Sequence, residues 1–230
     1  MTAPVSCPTF PPMRMQFVRG DSVEEIDLVP SKIIGIGVNY RMHAVEMGKG
    51  LPEEPLMFLK PPSAMLSTGG AIERPLDLER VDYEGELGVV IGTRAQRVPR
   101  DRALEFVMGF VCVNDVSARE LQKKDGQWAR AKGFDTFCPI GPRIVAGLDP
   151  SNLRITTRLN GEVRQNSSTA DLIFDVPALI SFVTHYMTLE VGDVITTGTP
   201  SGVGNLAVGD RVEVEIAGIG VLANTVIARP

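Results

Sequence analysis

The chain has 230 residues, of which 43% are hydrophobic and 22% are charged, and its formal net charge is −5. This composition is typical of a soluble chain that buries one good core, and the acidic balance argues against nucleic acid or an anionic membrane as the main partner. No apolar stretch approaches the roughly 18 residues that a membrane-spanning helix needs, so we expect no membrane partner and a cytoplasmic location.

The first thirty residues differ from the rest. Residues 1–30 begin rich in proline and become polar and acidic, which predicts a short N-terminal tail or hairpin before the main domain at 31–230. Met1 to Pro12 contain four prolines and no apolar core segment, so no secretory signal is expected. Cys7, Cys112 and Cys138 are odd in number and lack C-x-x-C spacing, which is typical of reduced thiols in a cytosolic protein.

A short helical pattern, Asn39 to Met47, follows a buried strand, with Asn39 as a candidate N-cap. Within it, His43 and Glu46 are three residues apart and therefore lie on one helical face. The pattern ends in glycine-flanked residues 48–50, for which we expect mobility. A His–Glu pair beside a flexible loop is what a lid carrying a general base would present, and an exposed ion pair on a helix face is the alternative.

The acidic segment at 81–92 reads as one strand, in which Glu84 and Glu86 share a face because side chains alternate along a strand. Its end is apolar on both faces, which indicates an interior strand. Two buried carboxylates side by side either share a proton or bind a cation. The alternative is a half-exposed edge strand with a solvated acidic face. We further expect that a side chain at Gly85 would crowd whatever packs behind this strand.

Later segments add further polar groups at the ends of elements. Asp115 ends an apolar strand and precedes Ser117 to Glu120, a capping-box pattern that starts a helix. Lys132 lies among apolar and aromatic neighbours, and Asn160-Gly161 predicts a hairpin turn. The loop at 198–204 is dense in hydroxyls and backbone N–H groups that suit a carboxylate or phosphate oxygen.

Three carboxylates at strand positions, Glu84, Glu86 and Asp115, offer oxygen ligands alone. Such a set suits Mg²⁺ or Mn²⁺, and Ca²⁺ would also fit. With two histidines and no clustered cysteines, the chain has no material for a zinc site. It also lacks a G-x-S-x-G nucleophile elbow, so an ordinary serine hydrolase is not expected.

Taken in order, these segments resemble the fumarylacetoacetate hydrolase family across roughly residues 30 to 225. The matching motifs are Gly37-Val38-Asn39-Tyr40 with His43 and Glu46, Phe58-Leu59-Lys60-Pro61, Asp82-Tyr83-Glu84-Gly85-Glu86-Leu87, Asn114 to Arg119 with Gln122, Trp128 with Lys132, Asn160-Gly161-Glu162, and Thr197 to Gly204. The resemblance implies an α+β, β-rich fold, a mixed β-sandwich roll with a few flanking helices, and a homodimer.

The resemblance also implies roles for individual residues. By analogy with the family, Glu84, Glu86 and Asp115 bind one divalent ion, and Lys132 and the lid pair His43 and Glu46 are catalytic. Thr199 of the T-G-T-P loop, together with Gly198, Arg119 and Gln122, is expected to line the substrate site. The short N-terminal segment places the chain nearer the acylpyruvate hydrolases and oxaloacetate decarboxylases than the large hydrolase that names the family.

The implied chemistry is metal-dependent cleavage of a C–C bond in a 2-oxo acid through an enolate that the ion stabilises. For hydrolysis, His43 held by Glu46 would deprotonate a water, and Lys132 would stabilise the developing oxyanion. Decarboxylation would need no water. One alternative is an isomerase or decarboxylase of unsaturated 2-oxo dicarboxylic acids of the 2-hydroxyhepta-2,4-diene-1,7-dioate type. Another is a module that binds 2-oxo acids and a metal without turnover.

Overall fold

Segments rich in Val, Ile and Leu make β-strands the main elements of the chain, as a computed structural model shows for residues 12–46, 48 and 50–229. The strands are β1 (Met13–Arg19), β2 (Ser22–Leu28), β3 (Ile33–Gly37), β4 (Leu56–Lys60), β5 (Met65–Ser67), β6 (Ala71–Arg74), β7 (Val81–Tyr83), β8 (Gly85–Ile91), β9 (Val107–Asn114), β10 (Ser117–Ala118), β11 (Cys138–Val145), β12 (Arg154–Leu159), β13 (Glu162–Ser168), β14 (Val194–Thr196), β15 (Gly204–Asn205), β16 (Arg211–Ile216) and β17 (Gly220–Ala228). The α-helices are α1 (Arg41–Glu46), α2 (Arg119–Asp125), α3 (Ala129–Lys132) and α4 (Val176–Tyr186), and 3₁₀ turns lie at Pro62–Ala64, Arg100–Phe106, Pro150–Asn152 and Thr169–Asp171.

Three sheets build the fold. A nine-stranded mixed sheet has the order β2-β1-β11-β9-β8-β14-β3-β4, with β5 pairing beside β11. A five-stranded sheet has the order β13-β12-β16-β17-β6, and a small sheet joins β10, β7 and β15. The α+β, β-rich fold class is therefore confirmed: mixed sheets pack face to face and a few short helices flank them.

Strand β8 lies in the middle of the large sheet, and all seven of its residues are buried. Its alternate side chains enter two cores on opposite faces. Leu87 and Val89 join the core shared with the five-stranded sheet and α4, whereas Val90 joins the core on the other face. Glu86, the second residue of this strand, is therefore carried by a fully buried element.

The N-terminal strands β1 and β2 form an antiparallel hairpin, and β1 also pairs in parallel with β11, so the hairpin extends the large sheet. The prediction that Met1 to Pro12 form no secretory signal concerns residues that, apart from Pro12, lie outside the described part of the chain. Cys7 also lies outside it. Cys112 and Cys138 are free and buried, and burial raises the pKa of each thiol to about 12. In the part of the chain that the structure describes, no helix has the length and hydrophobicity to cross a membrane.

Two of the expected helix caps are wrong. Asn39 binds the backbone of Phe174 and Thr197 with its side chain, because it ties the start of the lid segment to the loops beneath. Ser117 donates to the Asp115 carbonyl at 2.8 Å and belongs to β10, so α2 begins at Arg119 without a side-chain cap. The Asn160 turn, by contrast, joins β12 to β13 as the sequence predicts.

Candidate active site

The acidic segment is divided between two strands, so the prediction of one continuous strand is wrong. Strand β7 ends at Tyr83, β8 begins at Gly85, and Glu84 lies between them. The division arises because β7 pairs within the small sheet whereas β8 pairs within the large one. Glu84 and Glu86 are 6% and 1% exposed, which excludes the interpretation as a solvated acidic edge.

The third carboxylate reaches the same place through strand pairing. Gly85 of β8 lies opposite Asn114 of β9, and Asp115 directly follows that strand. The Asp115 N–H donates to the Glu84 carbonyl at 2.8 Å, which holds the two backbones together. As a result, ligand oxygens of Glu84, Glu86 and Asp115 all lie within 4.8 Å of one another, and all three residues are buried.

Buried cations neutralise part of this negative charge. The Lys132 ammonium lies between Glu84 and Asp115, at 2.7 and 2.5 Å from their oxygens. Lys60, which is 1% exposed, donates to the other Asp115 oxygen at 2.6 Å. Because carboxylate and ammonium are both removed from water, each of these ion pairs would leave a costly buried charge if one partner were deleted.

Glu86 differs from its neighbours, because no cationic side chain within the described residues forms an ion pair with it. Its carboxylate accepts a hydrogen bond from the Gly198 N–H at 2.8 Å. Burial, together with the charges of Asp115 and Glu84, raises the pKa of Glu86 well above its usual range. Burial also opposes ionisation of Glu84, but Arg119 and Lys132 hold the pKa of Glu84 below its usual range.

A divalent cation fits this donor set. Three oxygen-bearing side chains converge within one ion's reach, and Glu86 is the one without a cationic side-chain partner among the described residues, so a bound cation would favour its ionised form. Oxygen ligands of this kind suit Mg²⁺ and Mn²⁺ alike. Glu84, Glu86 and Asp115 are thus the residues that would hold the ion.

Arg119 lines the site but is already engaged by protein groups. Its Nε donates to the buried Asp82 at 2.7 Å, one terminal nitrogen donates to Glu84 at 2.5 Å, and the other donates to Gln122 Oε1 at 2.9 Å. That bond turns the Gln122 oxygen toward Arg119, and the Gln122 amide N–H groups remain as donors for a ligand. One N–H of each terminal nitrogen is left beyond these bonds, and Arg119 lines the pocket, so its expected contact with substrate stays a prediction.

The segment that we predict to be a lid forms α1, and it lies against the loop at 198–204. His43 Nδ1 lies 3.0 Å from Glu46 Oε2, and the Glu46 carboxylate also accepts from the Gly202 N–H at 3.2 Å. Since a carboxylate accepts hydrogen bonds, the proton of a neutral His43 ring belongs on Nδ1, and the lone pair on Nε2 can take a proton. His43 is 6% exposed and lines the pocket below. The predicted continuation through Met47 lies outside the described residues.

A pocket of about 340 Å³ brings most of the predicted residues together. His43, Glu84, Glu86, Arg119, Gln122, Lys132 and Thr199 line it, while Glu46, Asp115 and Gly198 contact those residues from behind. One wall is aromatic: the Phe58 and Trp128 rings have centroids 5.2 Å apart, and the Lys132 ammonium lies 4.9 Å from the Phe58 centroid. The pocket therefore combines a charged floor with an apolar side.

Three buried polar residues that support this site carry no role in the sequence prediction. Lys60 pairs with Asp115, Asp82 pairs with Arg119, and Gln165 binds the Thr199 hydroxyl. The sequence could have predicted a buried Lys60, because this lysine ends an apolar strand and is followed directly by two prolines. Gln165 gave none, since its partners are distant in sequence.

The site and fold together define a known class of protein. A family model described as fumarylacetoacetate (FAA) hydrolase C-terminal matches residues 32–227, and the chain belongs to this family. Oxaloacetate tautomerase YisK of Bacillus subtilis is 44% identical over 211 residues, covering 86% of this chain and 70% of the relative.

Two solved structures extend the comparison. The 5-carboxymethyl-2-hydroxymuconate delta-isomerase of Mycobacterium smegmatis is 49% identical, covers 89% of this chain and 81% of its own, and has a TM-score of 0.84. Fumarylpyruvate hydrolase of Pseudomonas aeruginosa, in complex with Mn²⁺ and pyruvate, is 29% identical, covers 98% and 99% of the two chains, and has a TM-score of 0.88. The predicted family is therefore confirmed.

Proposed function

We propose that this protein is a divalent-metal-dependent enzyme that converts a small 2-oxo acid through its enol form. The observation that carries the proposal is the convergence of three buried carboxylates within 4.8 Å of one another, beside a histidine–glutamate pair on the same pocket. A binding module would need the carboxylates but would have no use for a buried His43 oriented by Glu46.

The residues of the site have two kinds of role, which are to stabilise negative charge and to transfer a proton. Glu84, Glu86 and Asp115 would hold the ion, which supplies Lewis-acid stabilisation for negative charge on a substrate oxygen. His43 takes or returns a proton at Nε2, while Glu46 keeps the ring in place. Lys132 retains one N–H beyond the two that it donates to Glu84 and Asp115, and this N–H is available to a developing oxyanion.

Tautomerisation or isomerisation is the first candidate reaction. The relatives that are 44% and 49% identical carry the names of an oxaloacetate tautomerase and a delta-isomerase, and both reactions move a proton without consuming water. His43 suffices for such a transfer, because it can remove a proton from one atom and return it to another.

Cleavage of a C–C bond, by hydrolysis of an acylpyruvate or fumarylpyruvate or by decarboxylation of oxaloacetate, is the second candidate. It is supported by the likeness to fumarylpyruvate hydrolase, which spans almost the whole of both chains. In hydrolysis His43 would deprotonate a water, whereas decarboxylation would not require this base. We also propose the homodimer that the resemblance implies, which light scattering would reveal as twice the chain mass of 24.9 kDa.

The shared step can be tested before the substrate is known. We expect the protein with Mg²⁺ or Mn²⁺ to exchange the methyl protons of pyruvate with deuterium, as followed by proton NMR, and EDTA to stop the exchange. His43→Ala should abolish it, and His185→Ala is the matched control because this second histidine lies exposed at the end of α4. If pyruvate raised the melting temperature with metal but never exchanged, the protein would be a binding module.

A panel then separates the candidate reactions. Oxaloacetate, fumarylpyruvate and two acylpyruvates are supplied with Mg²⁺ or with EDTA, and the enol absorbance and released pyruvate are measured together. Loss of enol absorbance without release of pyruvate supports tautomerisation, whereas stoichiometric release supports cleavage. Turnover of any of them that is fully insensitive to EDTA would contradict the metal-dependent proposal.

A further inference from the structure

Gln165 is a fully buried residue of β13 that joins the acidic strand to the loop carrying Thr199. Its Oε1 accepts from the Gly85 N–H at 3.0 Å, and its Nε2 donates to Thr199 Oγ1 at 2.7 Å and to the Pro200 carbonyl at 2.8 Å. Thr199 Oγ1 in turn donates to the Gly85 carbonyl at 2.9 Å. These contacts form a closed ring of hydrogen bonds around Gly85, the residue between Glu84 and Glu86.

The direction of every bond in this ring follows from its partners. The Gly85 N–H can only donate and the Pro200 carbonyl can only accept, so the Gln165 amide has one possible orientation. Its Nε2 therefore faces Thr199 as a donor, and the Thr199 oxygen must accept there. The single hydroxyl hydrogen is left for the Gly85 carbonyl, which is buried and cannot donate.

A hydroxyl oxygen has one hydrogen and two lone pairs. In Thr199 the hydrogen and one lone pair are engaged by Gly85 and Gln165, so the remaining direction carries a lone pair. Thr199 is 4% exposed and lines the pocket, where this lone pair is the hydroxyl's remaining means of contact with a ligand.

We propose that Gln165 is a positioning residue that fixes the Thr199 hydroxyl as a hydrogen-bond acceptor toward the pocket. Thr199 then takes an O–H donor, either the hydroxyl of an enol or a water, and disfavours a carboxylate or keto oxygen. The identity of that ligand rests on the proposed function, but the direction of the hydrogen bonds does not. The general expectation that Thr199 binds a substrate oxygen becomes more specific, since that oxygen must carry a hydrogen.

Gln122 provides the opposite polarity on the same pocket. Its oxygen is turned toward Arg119, from which it accepts, so its amide N–H groups are the part directed away from Arg119 and available to a ligand. A ligand oxygen without hydrogen is served by Gln122, and an oxygen with hydrogen is served by Thr199. The two side chains thereby distinguish the two ends of a hydroxy- or enol-bearing acid.

A first experiment measures the hydrogen bonds without metal or ligand. In ¹⁵N-labelled full-length protein, we expect both Gln165 side-chain amide protons to exchange slowly with solvent, and Thr199→Val to move one of them upfield while the other stays in place. Fast exchange of both protons, or a spectrum that Thr199→Val leaves unchanged, would overturn the assignment of donor and acceptor.

A second experiment compares pyruvate with both enantiomers of lactate, which replace the keto oxygen by a hydroxyl, in calorimetric titrations with Mg²⁺ present. We expect Thr199→Val to weaken the better-bound lactate about tenfold and to change pyruvate affinity less than twofold, whereas Thr199→Ser should retain the affinity for lactate. Gln165→Met frees the hydroxyl to rotate, so lactate should weaken while pyruvate binds equally or more tightly.

The controls separate positioning from stability. Gln16→Met makes the same exchange on an exposed position of β1 and should leave both affinities unchanged. If Gln165→Met weakened lactate and pyruvate equally, the role of Gln165 would be structural and the proposal would be wrong. If neither acid bound the wild type, the proposed function would fail, and the NMR result alone would decide the proposal on Gln165.

The same variants distinguish the two O–H donors in turnover. If the donor is the enol hydroxyl, Thr199→Val lowers tautomerisation and hydrolysis alike. If the donor is the attacking water, the variant lowers hydrolysis and leaves tautomerisation intact. Either pattern supports Thr199 as an acceptor, whereas faster turnover of both kinds in Thr199→Val would contradict it.

Discussion

Replacing Glu86 by Gln should stabilise the metal-free protein and remove its response to a divalent ion. Glu86 is 1% exposed and makes no ion pair among the described residues, yet one of its oxygens lies within 4.8 Å of an oxygen of Glu84 and of an oxygen of Asp115. At an effective dielectric constant of about 20, two unit charges at this separation repel by about 3 kcal/mol. Lys132 offsets part of that repulsion, so at a pH where the folded protein ionises Glu86 we expect a net gain of about 2 kcal/mol for Glu86→Gln, and a smaller gain at lower pH.

The sign of the pH dependence follows from the raised pKa of Glu86. The folded protein holds this proton more tightly than the unfolded chain, so its favourable contribution is complete below the unfolded pKa of about 4.3. That contribution is lost as the pH rises from there through the folded pKa. Metal-free wild type should therefore lose stability with rising pH over this range, whereas the Gln variant should lose less.

Thermal unfolding by calorimetry, in EDTA and with Mg²⁺ or Mn²⁺, measures both effects. About 2 kcal/mol corresponds to about 4–8 °C for a chain of this size. An ion at about 100 times its dissociation constant should stabilise wild type by about 2.7 kcal/mol and Glu86→Gln by far less. Glu53→Gln, in an exposed loop, is the matched control and should behave as wild type. A less stable metal-free Glu86→Gln that still responded fully to the ion would refute the reasoning.

Three further substitutions test the surroundings of the site. His43→Ala should lower kcat by about 10²–10⁴-fold while leaving stabilisation by Mn²⁺ intact, and normal turnover would exclude this histidine as the proton carrier. Lys60→Met should destabilise the metal-free protein at pH 7 by about 3–5 kcal/mol, because Asp115 loses one of its two buried cationic partners. Denaturant unfolding measures the loss, and an unchanged midpoint would show that the Lys60–Asp115 ion pair does not stabilise the fold. Gly85→Ala places a Cβ 2.1 Å from the Thr157 hydroxyl and should lower the free energy of unfolding by about 1–3 kcal/mol. In a double-mutant cycle, Thr157→Gly should recover part of this loss, whereas strictly additive effects would show that the two residues do not clash.

The expectation for Gly85 illustrates how far local reasoning reaches. Strand periodicity alone predicted that a side chain there would crowd the layer behind the acidic strand, and Thr157, Gln165 and Val214 form that layer. The helical spacing of His43 and Glu46 likewise predicted their contact, which measures 3.0 Å. Both predictions depend on one element at a time, and the geometry of a single strand or helix is nearly independent of the rest of the fold.

The polar groups that support the site lie beyond such reasoning. Lys60 is 55 residues from Asp115, and Gln165 is 80 residues from Gly85 along the chain. No periodic pattern connects residues so far apart, because their meeting depends on the order in which strands enter the sheets. The division of the acidic segment at Glu84 is also beyond local reasoning, because its first part pairs within the small sheet and its second part within the large sheet.

The sequence by itself determined the β-rich class, the motifs of the family and the identity of the three carboxylates, since strand alternation and short motifs are local properties. Tertiary structure alone decided which cation neutralises which carboxylate. Lys132 and Lys60 pair with Asp115, Lys132 also pairs with Glu84, and Glu86 is left with a backbone N–H. This distribution of charge leaves Glu86 as the carboxylate that a bound cation would neutralise. It is set by distances between side chains that only the packed sheets bring together.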